Sequence, residues 1–432
     1  MKRQGGKRLP LKRSKMTGRR ADFAMREQAE KSIQLKNYSR ISLLNYIRRN
    51  KHTTKARLAS VTGLTFMAIK KIMEELLKLN LVREDSYENG GVGRRAVTYT
   101  VNENYGYTLG LHINVFRTSA AVMNLHGEIL SIQSFETRRD GASSSAELID
   151  QMVALVESAI AESGVPREKL LGLGVGAPGP VNSCEGVVLS PPNFPLLRYL
   201  PLRQILEERL SLPVSVQKDT NAIAMGEYWR GAGAGSEDMV YIDADMGIGS
   251  SLILNGATYE GANYIAGEFG HITLDPNGPL CNCGAHGCVE AVSSGLAILR
   301  EMENQLSSHA EHPLYEKRSC LTIEDLMEAA CKSDPLTISI LNRAACYMGA
   351  AVSNLINILD PQIIILGGIL TMEYPQYFRI VRDTTLNKRV QGTRENVLVR
   401  SALGSRAGVI GAGEIVANHF YTTLVSEVLS KS

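Results

Sequence analysis

This sequence lacks long apolar runs, an apolar segment after its basic start and a framework of paired cysteines. No run of 18 apolar residues occurs in its 432 residues, so we expect no membrane span and no membrane partner. The basic start is not followed by an apolar segment, so no signal peptide is expected. Seven cysteines in a long chain without a secretion signal do not indicate structural disulfides. These features together favour a reducing cytoplasm.

The overall composition excludes few other classes of protein. Hydrophobic residues make up 44% of the chain and charged residues 21%, which are ordinary values for globular proteins. Global disorder is therefore not expected, and the length suits two to four domains. The net charge of +3 indicates no partner by itself.

The first 20 residues are unusual because they contain nine lysines and arginines and no acidic residue. Such a block cannot pack, so we expect residues 1–30 to form a basic, disordered tail. Two interpretations remain open for this tail. It contacts nucleic-acid phosphates, or it is a solvated leader without a role.

Residues 31–105 show the pattern of a winged helix-turn-helix. Helical patterns run from residue 54 to residue 79 and are broken only at Gly63, which can adopt a left-handed turn. Ala59 is the small residue expected where the two helices touch, and Thr65 can cap the second helix. A glycine-rich segment then precedes a strand pattern at residues 96–101. The apolar residues expected to close the helix pair are Leu58, Leu64, Ile69 and Ile72.

The second helix of this motif is the expected DNA-reading element. Its amino-terminal residues should enter the major groove, and its lysines should meet phosphates or guanine edges. The wing, residues 91–95, places Arg94 and Arg95 at its tip for phosphate or minor-groove contacts. A helical hairpin used only for packing is the alternative, but the wing and the basic tail favour DNA binding. The residues predicted to contact DNA on the second helix are Thr65, Phe66, Met67, Lys70 and Lys71.

From residue 106 onward the sequence predicts an α/β domain with two lobes, because strand and helix patterns alternate. We expect one lobe to span about 106–218 together with the C-terminal helix, and the other about 219–400. The predicted strands are 107–113, 118–125, 128–134, 170–175, 213–217, 240–243, 250–255 and 363–366. The predicted helices lie near 144–162, 201–210, 289–305, 322–333, 336–357 and 405–420.

Three cysteines and a histidine have the spacing of a metal site. One imidazole and three thiolates fit a closed tetrahedral zinc site, which leaves no position for an activated water, so we expect structural zinc. A redox thiol cluster and free cysteines are the alternatives. His286 competes for the histidine position, although its place between the other ligands makes it the weaker choice. The predicted ligands are His271, Cys281, Cys283 and Cys288.

The segments 176–180 (Gly-Ala-Pro-Gly-Pro), 267–271 (Gly-Glu-Phe-Gly-His) and 281–290, which holds the cysteines and ends at Glu290, resemble the ROK family (repressor, open reading frame, kinase). The resemblance covers roughly 107–432, and the winged helix matches the family's repressor branch. It implies an actin-like or hexokinase-like pair of lobes around a ligand cleft.

The same resemblance implies a set of sugar-binding residues, with Asp219 at the position of the kinase general base. It also implies that His271 uses one ring nitrogen for zinc and the other for the sugar. Carboxylates suit this task because they accept directional bonds from sugar hydroxyls. For any one acid, a structural or surface carboxylate is the alternative. The implied sugar-binding residues are Asn193, Asp219, Glu268, His271 and Glu290.

The phosphate-binding elements of the family's kinases are altered in this sequence. The kinases have an aspartate followed by a Gly-Gly-Thr turn, and this chain has His112 followed by Asn114, Val115 and Phe116. A β-branched and an aromatic side chain would obstruct phosphate, so no phosphotransfer is expected. Glycines at 247, 249, 367 and 368 match other nucleotide-side turns, and they can serve simply as tight turns.

One departure from the family affects the ligand, because Lys218 stands where an asparagine is usual. A Lys218 that faces the cleft would favour a phosphorylated or acidic sugar, whereas a salt bridge to Asp219 would weaken sugar binding.

Together these features predict a sugar-responsive repressor, a homodimer or homotetramer that binds operator DNA and a sugar or sugar-phosphate effector. The alternatives are an active sugar kinase with an added DNA-binding module, and a DNA-binding protein with a vestigial cleft.

Overall fold

The described part of the chain divides into two units, of which the first contains a small sheet and the helices that pack with it. A computed structural model describes residues 37–88, 96–137, 144–191, 194–390, 392 and 397–427. The predicted tail (1–30), the wing tip with Arg94 and Arg95, and Asn193 lie outside these residues. The chain divides into two units, one containing Met1–Asn102 and His419–Ser432, the other Glu103–Asn418.

In its described residues, the first unit contains three helices, three short strands and the end of the C-terminal helix. An antiparallel sheet has the strand order β1-β3-β2. The helices are α1 (37–49), α2 (Lys55–Thr62) and α3 (Phe66–Lys78). The strands are β1 (Thr53–Thr54), β2 (Val82–Glu88) and β3 (Ala96–Val101).

The boundaries of α2 and α3 follow from their capping residues. The Thr54 hydroxyl accepts a hydrogen bond from the amide of Arg57 and begins α2. Helix α2 ends at Gly63, whose φ of 69° lies in the left-handed region. Thr65 caps α3 through the amide of Ala68 at 3.3 Å. The predicted helix–glycine–helix arrangement and the capping role of Thr65 are confirmed.

The core of this helix pair differs in part from the expectation. Leu58 and Ile69 are buried as predicted, but Leu64 and Ile72 are only half-buried. The residues that fill the core in their place are Met73 and Leu76 of α3 and Leu43, Leu44 and Ile47 of α1. The reason is that Ile69, Met73 and Leu76 follow one another at helical spacing, on one face of α3.

The second unit begins with a five-stranded sheet in the order β10-β7-β4-β5-β6. Strands β10, β7 and β4 run parallel, and β4, β5 and β6 are antiparallel. The strands are β4 (Tyr107–His112), β5 (Arg117–Asn124), β6 (Ile129–Glu136), β7 (Leu170–Ala177) and β10 (Val214–Lys218). A hairpin of β8 (Val181–Asn182) and β9 (Val187–Val188) and the helices α4 (Ser145–Ser163) and α5 (Leu202–Leu210) complete this lobe.

The other lobe contains a second five-stranded sheet, in the order β13-β12-β11-β14-β15. Its strands are β11 (Met239–Ala244), β12 (Ile248–Leu254), β13 (Ala257–Thr258), β14 (Ile363–Gly367) and β15 (Leu398–Arg400). Helix α6 (Asp219–Arg230) packs on strands of both sheets. The remaining helices are α7 (Val289–Ser293), α8 (Gly295–Leu306), α9 (Ile323–Cys331), α10 (Pro335–Leu359), α11 (Ile369–Glu373), α12 (Pro375–Lys388) and α13 (Ala407–Glu427).

Helix α13 lies against the sheet of the first lobe. A Cβ atom at Gly110 of β4 would collide with the carbonyl oxygen of Val409, and one at Gly174 of β7 with that of Ala412. Glycine is therefore required at both strand positions for this close approach. From His419 onward, residues of this helix belong to the first unit.

Most predicted elements of the second unit are present, with three kinds of difference. The helix predicted at 289–305 is two helices, because Ser294 interrupts it and caps α8 through the amide of Ala297. Strands β8, β9, β13 and β15 were not predicted, and neither were α11 and α12.

Across the described ranges, no helix is long and apolar enough to cross a membrane.

Candidate functional site

The cysteine cluster lies in the loop that leads into α7. The loop turns tightly because the Cys281 amide donates to the Ala285 carbonyl at 2.8 Å and the Gly284 amide to the Cys281 carbonyl at 2.9 Å. Gly284 has a φ of 92° and Gly287 a φ of 65°, which are conformations that favour glycine. The two glycines therefore allow the loop to bring its sulfur atoms together.

The four predicted ligands are close enough to hold one metal ion. The ligand atoms of His271, Cys281, Cys283 and Cys288 all lie within 4.8 Å of one another. The Sγ atoms of Cys283 and Cys288 are 3.7 Å apart, as are the Cys281 Sγ and the His271 Nδ1. A tetrahedral zinc ion with Zn–S bonds of about 2.3 Å holds its sulfur ligands about 3.8 Å apart. The donor set and its spacing therefore fit zinc.

His286, the competing histidine, is not part of this group. Its Nδ1 lies 3.0 Å from the carbonyl oxygen of Gly278. Burial raises the pKa of the Cys288 thiol to about 12 and also raises the pKa of Cys281. A buried thiolate is unfavourable unless a cation compensates its charge, which is what a bound metal would do.

His271 connects the cysteine cluster with a carboxylate. It ends a short turn, Phe269–His271, which directly follows Glu268. Its Nδ1 faces Cys281, whereas its Nε2 lies 3.9 Å from the Oε2 of Glu268. A metal on Nδ1 would therefore fix the orientation of a ring whose second nitrogen is directed toward Glu268.

Glu268 also forms an ion pair with Lys218 across the cleft. The Lys218 Nζ lies 2.5 Å from the Glu268 Oε1. Lys218 is 12% exposed and Glu268 41% exposed, so the carboxylate is the more accessible partner. Lys218 thus pairs with Glu268, and the alternative in which it forms a salt bridge to Asp219 is wrong. Lys218 is directed to the opposite lobe, because it ends β10 while Glu268 follows β13.

Asp219 begins α6 directly after Lys218. Burial raises the pKa of its carboxyl to about 6, against the opposing effects of the Lys218 ammonium and the Thr220 amide. That amide donates to the Asp219 Oδ1 at 2.6 Å. Asp219 therefore adjoins the ion pair, and the charge of Lys218 lowers its pKa whereas that of Glu268 raises it.

Glu290 lies on α7, two residues after the last cysteine. Its Oε2 accepts a hydrogen bond from the Ile248 amide at 3.0 Å, which orients the carboxylate. Within the described ranges, no hydrogen bond to its Oε1 is found. The structure thus joins Asp219, Lys218, Glu268 and His271 in one series, with Glu290 adjoining the cysteines.

The predicted DNA-contacting residues of α3 form an exposed group at its amino-terminal end. Phe66 is 56% exposed and Met67 71% exposed, which is unusual for large apolar side chains. Thr65, Lys70 and Lys71 are exposed as well. The Lys70 Nζ lies 3.8 Å from the Glu74 Oε1, an exposed pair that holds the lysine only weakly.

The sequence matches the ROK family over residues 108–419. The chain belongs to the ROK family. It is 29% identical over 381 residues to the xylose repressor of Bacillus spizizenii, covering 88% of this chain and 94% of that protein. It is 32% identical over 314 residues to a glucokinase of Halalkalibacterium halodurans, covering 71% of this chain and 94% of that enzyme.

A solved structure of a ROK family transcriptional regulator, a homologue of the E. coli MLC protein, has the same fold. The TM-score is 0.73 at 23% identity, with 92% of this chain and all of that one covered. The predicted architecture, a winged helix-turn-helix followed by a two-lobed actin-like ROK domain, is confirmed.

His112, which the resemblance matched to a kinase aspartate, ends β4. Burial lowers the pKa of its imidazole to about 4, so the ring is neutral near pH 7. Among the described residues, its Nε2 has no hydrogen-bond partner. In the turn that follows, the Asn114 Oδ1 accepts from the Phe116 amide at 3.0 Å, and the Phe116 ring is 43% exposed.

Two acids on this side of the cleft were not singled out from the sequence. Asp243 is the next-to-last residue of β11, and Asp245 directly follows that strand, two residues before Gly247. Burial and the neighbouring charges of Asp245 and Asp219 raise the pKa of Asp243 to about 8. Burial also raises the pKa of Asp245. The available signal was an apolar strand running directly into Asp-Ala-Asp.

Proposed function

We propose that this ROK protein is a sugar-responsive transcriptional repressor. The observation that carries the proposal is the extent of the likeness to the xylose repressor, which covers 88% of the chain. The ROK match begins only at residue 108, so this likeness must extend into the unit that contains α2 and α3. The glucokinase likeness covers only 71% of the chain.

In this proposal α3 enters the major groove of operator DNA. Its exposed end supplies Thr65, Phe66 and Met67 for base-edge contacts, and Lys70 and Lys71 for phosphates or guanine edges. Arg94 and Arg95 of the wing add phosphate or minor-groove contacts. Two half-sites require two such helices, so the active species is a dimer or a tetramer.

The cleft of the second unit binds the effector, a sugar or sugar derivative. The carboxylates of Asp219, Glu268 and Glu290 accept bonds from hydroxyls, and Asn193 adds a neutral amide. Zinc held by His271 and the three cysteines is structural. It fixes the imidazole so that the Nε2 is presented to the effector.

The same cleft does not transfer phosphate in this proposal. The kinase aspartate that organises magnesium is replaced by the neutral imidazole of His112. Asp243 and Asp245 add buried carboxyls just before Gly247, and their raised pKa values favour the protonated form, which is a poor magnesium ligand. The effector therefore acts by binding alone, through different affinities for the DNA-binding and DNA-releasing conformations.

The test is binding of an operator fragment by the purified protein at fixed salt, with and without a panel of neutral, phosphorylated and acidic sugars. We expect one sugar to lower the DNA affinity by at least about tenfold, the typical size of an allosteric coupling. Tight binding that no sugar alters would favour the vestigial cleft. Sugar-dependent ATP consumption would favour the kinase with an added DNA-binding module.

A further inference from the structure

Lys218 places a cation in the proposed effector site, at a position where the family resemblance implied an asparagine. Its side chain is only 12% exposed, and its Nζ lies 2.5 Å from the Glu268 Oε1. Its backbone is the N-cap of α6, and its side chain forms no cap hydrogen bond. The ammonium therefore lies in the proposed effector site, where Glu268 is its ion-pair partner.

An effector that bonds Glu268 changes the surroundings of this ammonium. Sugar hydroxyls that bond the Glu268 Oε1 would compete with Lys218 for that oxygen, while the Lys218 side chain stays largely shielded from water. Weakening the ion pair of a mostly buried charge is costly, so a ligand that offers Lys218 a new acceptor forms the more stable complex. A charged acceptor compensates the ammonium better than a neutral hydroxyl does.

The neighbouring groups show which kind of ligand can provide that acceptor. The amino-terminal end of α6, a helix of 12 residues, carries partial positive charge beside Lys218. Thr220 is buried there, and among the described residues its hydroxyl has no hydrogen-bond partner. The carboxylates of Asp219 and Glu268 disfavour a free anion at the same place. The anion must therefore arrive on a molecule whose hydroxyls bond those carboxylates.

We infer that Lys218 selects an effector that is a sugar bearing an anionic group, with the anion on the Lys218 ammonium and the hydroxyls on Glu268. This inference rests on the proposed function and narrows its ligand class. A phosphate ester and a sugar carboxylate share the required chemistry, so the experiment separates them.

The experiment measures binding to the full chain by calorimetry with matched sets of ligands. Each set contains a neutral hexose, its 6-phosphate and its uronic acid, in the gluco, galacto and manno series. We expect one anionic member to bind at least about tenfold more tightly than its neutral parent, as a charged hydrogen bond predicts. Whether that member is the phosphate or the uronic acid identifies the anion. Equal or tighter binding of the neutral parent would overturn the inference.

Two variants assign the selectivity to Lys218. Lys218→Asn should reduce the preference for the anionic ligand by about tenfold or more, with the affinity for the neutral parent unchanged or higher. Lys218→Met removes the charge but keeps the length of the side chain, and it should lose the anionic preference as well, so it still tests the idea if Lys218→Asn does not fold. Lys332→Asn is the matched control, since Lys332 directly follows α9, is 72% exposed and pairs with Glu328. An unchanged preference in Lys218→Asn would contradict the assignment.

The same ligands in the operator-binding assay separate this inference from the function on which it rests. If a neutral sugar releases DNA and no anionic ligand binds more tightly, the proposed repressor function is supported and the proposed role of Lys218 is wrong. If no ligand in any set binds the protein or alters its DNA binding, both fail.

Discussion

The ligand side and the phosphate side of the cleft differ in how their charges are arranged. On the ligand side, Glu268 contacts Lys218 and His271, and Glu290 is oriented by the Ile248 amide. On the phosphate side, His112 is neutral and Asp243 and Asp245 are buried carboxyls with raised pKa values. The first arrangement offers carboxylates to hydroxyls, whereas the second favours neutral groups that are poor magnesium ligands.

Under the proposed function, this difference separates the two halves of a kinase fold. A fold shared with glucokinases then keeps its sugar-side carboxylates without the charges needed for phosphotransfer. The function then depends on which side chains remain near the ligand, and it must be argued from them. Four substitutions test this contrast.

Removing one thiolate should have the largest effect, because the proposed zinc would fix His271 on the ligand side. Cys283→Ser is expected to abolish zinc binding and to lower the melting temperature by about 10 °C, which corresponds to a few kcal/mol. Metal analysis and thermal unfolding measure both quantities. Cys331→Ser changes an exposed cysteine outside the cluster and should keep the zinc. Full effector response in zinc-free Cys283→Ser would break the proposed link through His271.

Glu290→Gln should weaken effector binding by about 10- to 100-fold, the range expected for a hydrogen bond to a charged group. The amide oxygen can still accept from the Ile248 amide, so the local fold should remain. DNA affinity without effector should not change. Calorimetry measures the affinity for the effector. Glu303→Gln, at an exposed position of α8, is the control and should leave that affinity unchanged. An unaltered effector affinity would remove Glu290 from the site.

Lys71→Ala tests the DNA-binding surface and should lower operator affinity by about tenfold or less. If Lys71 contacts a phosphate, the slope of log affinity against log salt should become shallower by about 0.9. Fluorescence anisotropy over a salt series measures both. Lys388→Ala, on α12 of the other unit, should leave both unchanged. An identical slope in Lys71→Ala would show that this lysine makes no phosphate contact.

Asp243→Asn should produce the smallest effect, a pH-dependent gain of a few degrees in melting temperature. The folded-state pKa of about 8 lies above the ordinary value of 3.8, so the folded protein holds a proton that the unfolded chain releases. The contribution of this group is therefore fully present below pH 3.8 and is lost as pH rises through 8. The gain from asparagine should grow from pH 5 to pH 8.5. Exposed Asp383→Asn is the control, and a pH-independent gain would contradict the shift.

The sequence was sufficient for most of the architecture. Periodic apolar patterns predicted both helices of the DNA-binding motif and the long strands and helices of both lobes. Strands of two or three residues, such as β8, β13 and β15, carry no such period and were missed. The break at Ser294 was missed as well, because apolar residues continue on both sides of it.

The candidate site was predictable where its residues are near in sequence. The spacing of the cysteines indicated the metal cluster, and the choice of His271 over His286 agrees with the geometry. The pairing of Lys218 with Glu268 was not predictable, because 50 residues and a lobe boundary separate the two. The protonation preference of Asp243 depends on burial and on neighbouring charges, which are properties of the folded chain.

The central claim is that the cleft reports a bound sugar without transferring phosphate. The most direct measurement follows operator binding while the effector is added in the presence and in the absence of Mg-ATP, with ATP consumption recorded in the same sample. We predict the same release of DNA in both conditions and no consumption of ATP. Release that requires ATP, or that accompanies a newly phosphorylated sugar, would contradict the account.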